Sequence, residues 1–160
     1  LLKERFLAEG AQKLLLLGDL LYHGARNPLP RDYSTLKTAE ILNSMKEHIL
    51  CVRGNCDSDV DTLVLEFPIV ADYAILPAAG RTLVLTHGHR TYGVLSGSDV
   101  LVNGHFHVPA FEQREGHLYV NCGSVSIPKE NSPHSYLVLE DGKLLWKDVE
   151  TGAVFKRAEL

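Results

Sequence analysis

Four short apolar runs in this chain each stop at a glycine set among acidic, amide or imidazole side chains. Leu14-Leu15-Leu16-Leu17 runs into Gly18-Asp19, and Ile49-Leu50-Cys51-Val52 runs into Arg53-Gly54-Asn55-Cys56-Asp57. Thr82-Leu83-Val84-Leu85 leads to Thr86-His87-Gly88-His89, and Asp99-Val100-Leu101-Val102 to Asn103-Gly104-His105-Phe106-His107. Continuous apolar runs of this length fit strands covered on both faces, as in an α/β sheet. Loops at one edge of such a sheet converge, so four polar clusters imply a single site. His105 and His107 would share one face if their strand simply continued. Two imidazoles aimed alike at a strand end suit metal ligation, with a loop bearing two surface histidines as the plainer alternative.

Between these runs the periodicity changes. Leu1 to Glu9 has apolar residues at helical spacing and Gly10 in place to cap it. A second helix is expected from Tyr33 to Glu47, capped by Asp32 or Ser34, with Leu36, Ile41, Leu42 and Met45 as its buried stripe. A short helix is expected near Asp59–Phe67, stopped by Pro68. Tyr73–Leu76 and Thr82–Leu85 read as a hairpin around a Pro77/Gly80 turn. Phe111–Arg114 and His117–Asn121 flank a Glu115-Gly116 turn, and Tyr136–Glu140, Leu144–Val149 and Ala153–Lys156 form a meander. The fold class expected is α/β: a layered sandwich of two mixed sheets flanked by helices, in one domain over residues 1–160.

Composition removes several classes of function. A formal charge of −4 leaves no polycationic face for tracking a nucleic acid. No apolar run approaches the roughly 20 residues of a membrane span, and no signal peptide is legible. Cys51, Cys56 and Cys122 cannot all pair and fit no zinc-ribbon spacing, so reduced thiols in a cytoplasmic protein are expected.

Taken singly, most of the polar residues have ordinary readings. Asp19 suits a turn or a helix cap, Asn55 a left-handed turn position, and Asp57 either a ligand-orienting carboxylate or the cap of the next helix. His48, His117 and His134 have no motif around them and are expected at the surface. Jointly, one carboxylate, one amide oxygen and three or four imidazoles suit Mn²⁺, Fe²⁺, Co²⁺ or Zn²⁺ better than an all-oxygen calcium site.

The order Gly-Asp, Gly-Asn-x-Asp, Thr-His-Gly-His, Gly-His-x-His resembles that of the calcineurin-like metallophosphoesterase superfamily. Within it, the chain is similar to the small bacterial YfcE-type phosphodiesterases. Gly18 to Pro30, Val52 to Asp57 and Gly123-Ser124-Val125-Ser126-Ile127-Pro128-Lys129 carry that likeness. The resemblance implies a phosphodiesterase in which water, activated by two divalent ions, attacks phosphorus. Manganese is the first choice, with iron, cobalt, nickel or zinc as alternatives. Asp19 would bridge the ions, Asn55, His87 and His105 would complete the second ion's shell, and His107 would belong to the first. Asn55, Cys56 and His89 are implied at the reacting centre, and His23 and Arg53 as contacts to a small phosphorylated substrate. Related nucleases carry a histidine, thought to protonate the leaving group, where this chain has Cys56. A thiol, with an ordinary pKa of about 8.5, suits activated diesters or monoesters better than nucleic acid.

Two departures from the family pattern stand out. The family opens on a strand ending in Asp-x-His, which supplies two ligands of the first ion, and nothing before Asp19 matches it. A start at Leu1, inside a helix, leads to the expectation that roughly twenty N-terminal residues, about one strand–loop–half-helix unit, are missing. The segment between His89 and Asp99 is also short for a crossover, so residues are expected to be missing there too. The second ion's site, with Asp19, Asn55, His87 and His105, is therefore expected to be favoured over the first. The competing readings are a non-catalytic protein-binding scaffold, as in a retromer subunit of this fold, and a phosphomonoesterase or pyrophosphate hydrolase. A homo-oligomer is compatible with all of them.

Overall fold

The computed structural model describes residues 1–90, 95–97 and 99–160. Helix α1 (Leu2–Glu9) ends on Gly10, whose φ of 61° lets its N–H turn back to the Leu7 carbonyl. Strand β1 (Leu14–Leu16), helix α2 (Thr35–Asn43) and strand β2 (Ile49–Cys51) follow, and β1 and β2 pair in parallel with Leu15 opposite Leu50. A mixed sheet has the order β3-β4-β5-β7-β6, from β3 (Tyr73–Ala78), β4 (Arg81–Thr86), β5 (Asp99–Asn103), β6 (Ala110–Arg114) and β7 (His117–Asn121). Strands β4, β5 and β7 are mutually parallel, so their C-terminal ends share one edge. An antiparallel meander of β8 (Ser135–Glu140), β9 (Lys143–Asp148) and β10 (Val154–Glu159) completes the chain.

Alternation along β1 explains the layering. Leu16 and Cys51 pack with Phe6 of α1, Ala39 and Leu42 of α2, and Met45 in one core. Leu15, Leu17 and Leu50 pack the other way, against Leu83, Leu85, Val100, Val102 and Val120 of the mixed sheet and Leu144 and Trp146 of the meander. The Leu14–Leu17 run is thus apolar throughout because both faces are covered. Trp146 is fully buried, and its indole N–H donates to the Asn121 carbonyl at 2.7 Å, docking the meander on the end of β7. Among the described residues no helix is long and apolar enough to cross a membrane.

Several expected boundaries shift, each for a local reason. Helix α2 is Thr35–Asn43 rather than Tyr33–Glu47, and a 3₁₀ turn (Lys46–His48) follows it. Ser34, not Asp32, caps it, its hydroxyl accepting the Lys37 N–H at 3.3 Å. Leu36 and Ile41 are 75% and 46% exposed, so the buried stripe is Ala39, Leu42 and Met45. A helix laid on only two strands covers a narrow stripe; Leu36 overhangs it in the first turn, and Ile41 points about 100° away from Leu42. The helix expected over Asp59–Phe67 is a 3₁₀ turn, Asp59–Leu63, held by reciprocal bonds between Ser58 and Asp61. Leu65 and Phe67 are buried beyond it. Pro77 lies within β3, opposite Thr82; as an edge strand, β3 can lack that N–H. The reversal falls on Ala79-Gly80, both at positive φ. The last strand is Val154–Glu159 rather than Ala153–Lys156. The short segment between His89 and Asp99 lies largely outside the described residues.

Helix α1 is tied to the meander by one carboxylate. Glu9 accepts the Tyr136 hydroxyl at 2.6 Å and the Lys147 ammonium at 2.7 and 2.6 Å. Burial alone would raise the Glu9 pKa, but the bonds and charge of Lys147, helped by Tyr136, hold it below the ordinary glutamate value. A depressed folded-state pKa gives stability that is present above the unfolded value and lost as pH falls through the folded one. Glu9→Gln is expected to cost about 1–2 kcal/mol at pH 7. That gap should close below pH 3, as read from urea unfolding midpoints at the two pH values.

Candidate metal centre

The site lies where the strand ends converge, and a buried carboxylate holds two of those ends together. Asp57 accepts the N–H groups of Asp19 and Gly54 through Oδ2 at 2.8 and 2.7 Å, and of Leu20 through Oδ1 at 2.8 Å. The loops after β1 and β2 are thereby pressed together. A Cβ on Gly18 would strike the Gly54 backbone, and one on Gly54 would strike the Asp19 carboxylate, so both positions demand glycine. Of the two readings of Asp57, the helix-cap one is excluded, because Ser58 caps the following turn.

That clamp presents Asp19 to the mixed sheet. Asp19 sits at φ 56°, and its Oδ1 accepts the Cys56 N–H at 2.8 Å. Its Oδ2 stands 3.3 Å from His87 Nε2. His87 follows directly on β4 and is 2% exposed; its Nδ1–H donates to the Leu17 carbonyl at 2.6 Å. A carbonyl can only accept, so the Nδ1 proton is fixed and Nε2 faces the site. Asn55 Oδ1 and His105 Nδ1 each lie 3.0 Å from that same Nε2.

The donor atoms of Asp19, His87 and His105 lie within 4.8 Å of one another, and Asn55 adds an amide oxygen beside them. Separations of about 3 Å are what adjacent ligands show around an ion bonded at about 2.1 Å. One imidazole nitrogen facing a carboxylate oxygen, an amide oxygen and a second imidazole nitrogen cannot satisfy all three with a single proton. A divalent cation can, so the residues fit such an ion. The Leu17 carbonyl behind His87 is the backing bond that metal-ligating histidines usually have.

Electrostatics point the same way. Burial opposes charge on His87, but the bond and charge of Asp19 outweigh it and raise its pKa. Burial would likewise raise Asp19, yet His87 and the Cys56 N–H hold it below the usual carboxylate range. Burial and the neighbouring His87 lower His89 and His105, and burial lowers His107. These three imidazoles are therefore neutral and able to donate a lone pair. Burial and then Asp19 push the Cys56 thiol up to about 11, so it keeps its proton at neutral pH.

The remaining expected residues lie around this cluster. His107, at φ 63°, sits outside it and donates Nδ1–H to the Ile127 carbonyl at 2.7 Å. The His89 ring lies 5.3 Å from that of His87, with Nδ1 buried and unpartnered. Arg53 donates to the Asp57 carbonyl and pairs with Asp59, both at 3.1 Å. His23 packs between Tyr22 and Tyr33, with its own Nδ1 buried and unpartnered. The sequence reading did not single out Arg90, which lines a cleft beside Asn55 and His89. Nor did it assign a part to Lys129, whose N–H donates to the His107 carbonyl at 3.2 Å. Only the basic residue directly after the His-Gly-His run, and the lysine closing the Gly123–Lys129 run, gave a signal for them.

The calcineurin-like phosphoesterase superfamily domain matches residues 2–142. Over 145 residues the chain is 46% identical to phosphodiesterase YfcE of Escherichia coli K12, spanning 88% of this chain and 79% of that protein. The structure of YfcE, an E. coli phosphoesterase, aligns with a TM-score of 0.91 at 41% identity, covering 98% of this chain and 91% of that one. Vacuolar protein sorting 29 of Cryptosporidium parvum shares the fold, with a TM-score of 0.54 at 21% identity over 92% of this chain and 97% of that one.

Asp57 offers a direct test of how the site is held. Asp57→Ala leaves three backbone N–H groups without their acceptor and is expected to cost about 2–4 kcal/mol in urea unfolding. Asp57→Asn, which keeps one acceptor oxygen, should cost about half as much. Both should weaken Mn²⁺ binding in calorimetry by about 10–100-fold.

Proposed function

Since the chain belongs to the calcineurin-like phosphoesterase superfamily, we propose that it is a divalent-metal-dependent phosphodiesterase acting at Asp19, Asn55, His87 and His105. One observation carries the placement: three polar atoms from three other loops meet His87 Nε2 at 3.0–3.3 Å. The convergence favours this reading over a protein-binding scaffold. Manganese is the first choice of ion, and iron, cobalt, nickel or zinc suit the same mixed N/O donors. Asp19, Asn55, His87 and His105 are the second ion's site of the family pattern, and His107 is assigned to the first ion, which has fewer protein donors. When bound, such ions polarise the phosphoryl group and lower the pKa of a coordinated water toward neutrality.

The chain's own residues do the rest. Asp57 and the Leu17 carbonyl fix Asp19 and His87 before substrate arrives, so no reorganisation is needed at the moment of reaction. Asn55 and His89 border the place where a phosphoryl oxygen would lie. Cys56, protonated at neutral pH, is not the nucleophile. With a pKa near 11 it is also a reluctant acid, which favours diesters whose leaving group departs without protonation. His23 and Arg53 are assigned to the substrate's flanks. The three free cysteines suit the reducing cytoplasm as the place of action.

Titrating Mn²⁺ into the full chain with bis(4-nitrophenyl) phosphate should produce saturable release of nitrophenolate that a chelator abolishes. His87→Ala should lower kcat/KM by at least about 100-fold. Absence of metal-stimulated turnover overturns the reading.

A further inference from the structure

Beside the proposed reacting centre lies an open cleft of about 540 Å³; the functional reading above uses its Asn55, His89 and Arg53 and leaves Asp72 and Arg90 without a task. Its lining includes Arg53, Asn55, Val70, Asp72, His89 and Arg90. Asn55 belongs to both places: its Oδ1 meets His87 in the donor cluster, and its side chain borders the cleft. A substrate whose phosphorus sits at the cluster has a path across Asn55 into this cleft.

The charges there are arranged for an anion. Arg53 and Arg90 are two permanent cations in the lining; Arg53 already donates to the Asp57 carbonyl and pairs with the exposed Asp59, both at 3.1 Å, so Arg90 is the one the proposal uses. Asp57 also lines it, but its carboxylate is taken up by three backbone N–H groups. Asp72 is paired with Arg90 at 3.1 Å, with both side chains about half exposed at 47% and 58%. Such an exposed, solvent-screened pair contributes little, so an incoming phosphate can replace Asp72 at little cost. A guanidinium has five N–H donors, and Arg90 is seen using one of them in that pair, which leaves a fork for a tetrahedral anion.

We propose that this cleft seats a second phosphate of the substrate, with Arg90 as a specificity-determining residue, so that the preferred diesters carry a phosphate beyond the scissile one. The proposal rests on the phosphodiesterase reading, and the test separates the two. Thymidine 5′-(4-nitrophenyl phosphate) and its 3′-phosphorylated counterpart release the same nitrophenolate, so any difference between them reports the extra phosphate. With the Mn²⁺-loaded full chain, kcat/KM is expected to be at least tenfold higher for the 3′-phosphorylated compound, mainly through KM. Arg90→Gln should reduce that ratio below threefold, and Asp72→Asn, which frees Arg90 from its competitor, should increase it. Calorimetry on the chelator-treated protein gives a readout without turnover. There, thymidine 3′,5′-bisphosphate should bind at least tenfold more tightly than thymidine 5′-monophosphate, and Arg90→Gln should remove the difference. A ratio near one in the wild type, or a ratio that Arg90→Gln leaves intact, overturns the proposal. Failure to release nitrophenolate from either compound overturns the phosphodiesterase reading instead, and the calorimetric difference still decides the subsite.

Discussion

The Asp57 carboxylate accepts N–H groups from Asp19, Leu20 and Gly54, and the rest of the site depends on that contact. Parallel strands place their C-terminal ends side by side, but ladder hydrogen bonds stop where the strands stop. Beyond β1 and β2, two loops would otherwise diverge, each with unpaired backbone donors. One buried carboxylate satisfies three of those donors and brings Gly18 against Gly54. Asp19, Asn55 and Cys56 then take up positions set by backbone geometry. Facing them, His87 is anchored by the Leu17 carbonyl, a backbone group of the first of these loops. The donor cluster therefore rests on contacts in both directions between the β1–β2 pair and the mixed sheet.

The site is electrostatically self-consistent. A single carboxylate, Asp19, sits among several imidazoles in a chain whose net charge is −4. Its influence reaches His87, which it favours in the charged form, and Cys56, whose thiol is kept protonated by burial first and by Asp19 second. Burial keeps His89, His105 and His107 neutral around this pair. An ion binding here meets lone pairs that are already available on His105, and it competes with a proton chiefly at His87, whose pKa is raised.

Much of this was legible in the sequence because its carriers are short-range. The Leu14–Leu17 run shows a strand covered on both faces, and four glycine-bearing strand ends imply convergence. Their order supplies the resemblance to the family and, with it, the candidate ligands Asp19, Asn55, His87, His105 and His107. What escaped depends on tertiary context. The pattern of α2 admits Leu36 and Ile41 to its apolar stripe, but the stripe's width is set by the two strands beneath it. Pro77 signals a turn locally, yet an edge strand tolerates it. Asp57 reads equally well as a cap, because nothing in the sequence says that the N–H groups of Asp19 and Leu20 lie within its reach. Arg90 becomes visible only once the cleft beside Asn55 exists.

Asp19, His105 and His107 all adopt left-handed backbone conformations, with φ of 56°, 59° and 63°. Residues with a Cβ pay about 1–2 kcal/mol for this conformation. Each of these donors is therefore aimed partly by a strained peptide rather than by its rotamer alone. Deleting one by alanine removes the donor and keeps the strain, whereas deleting it by glycine removes both. The backbone at these three positions suits glycine, and the side chains that stand there offset its strain only in part, through bonds such as those of Asp19 with the Cys56 N–H and of His107 with the Ile127 carbonyl.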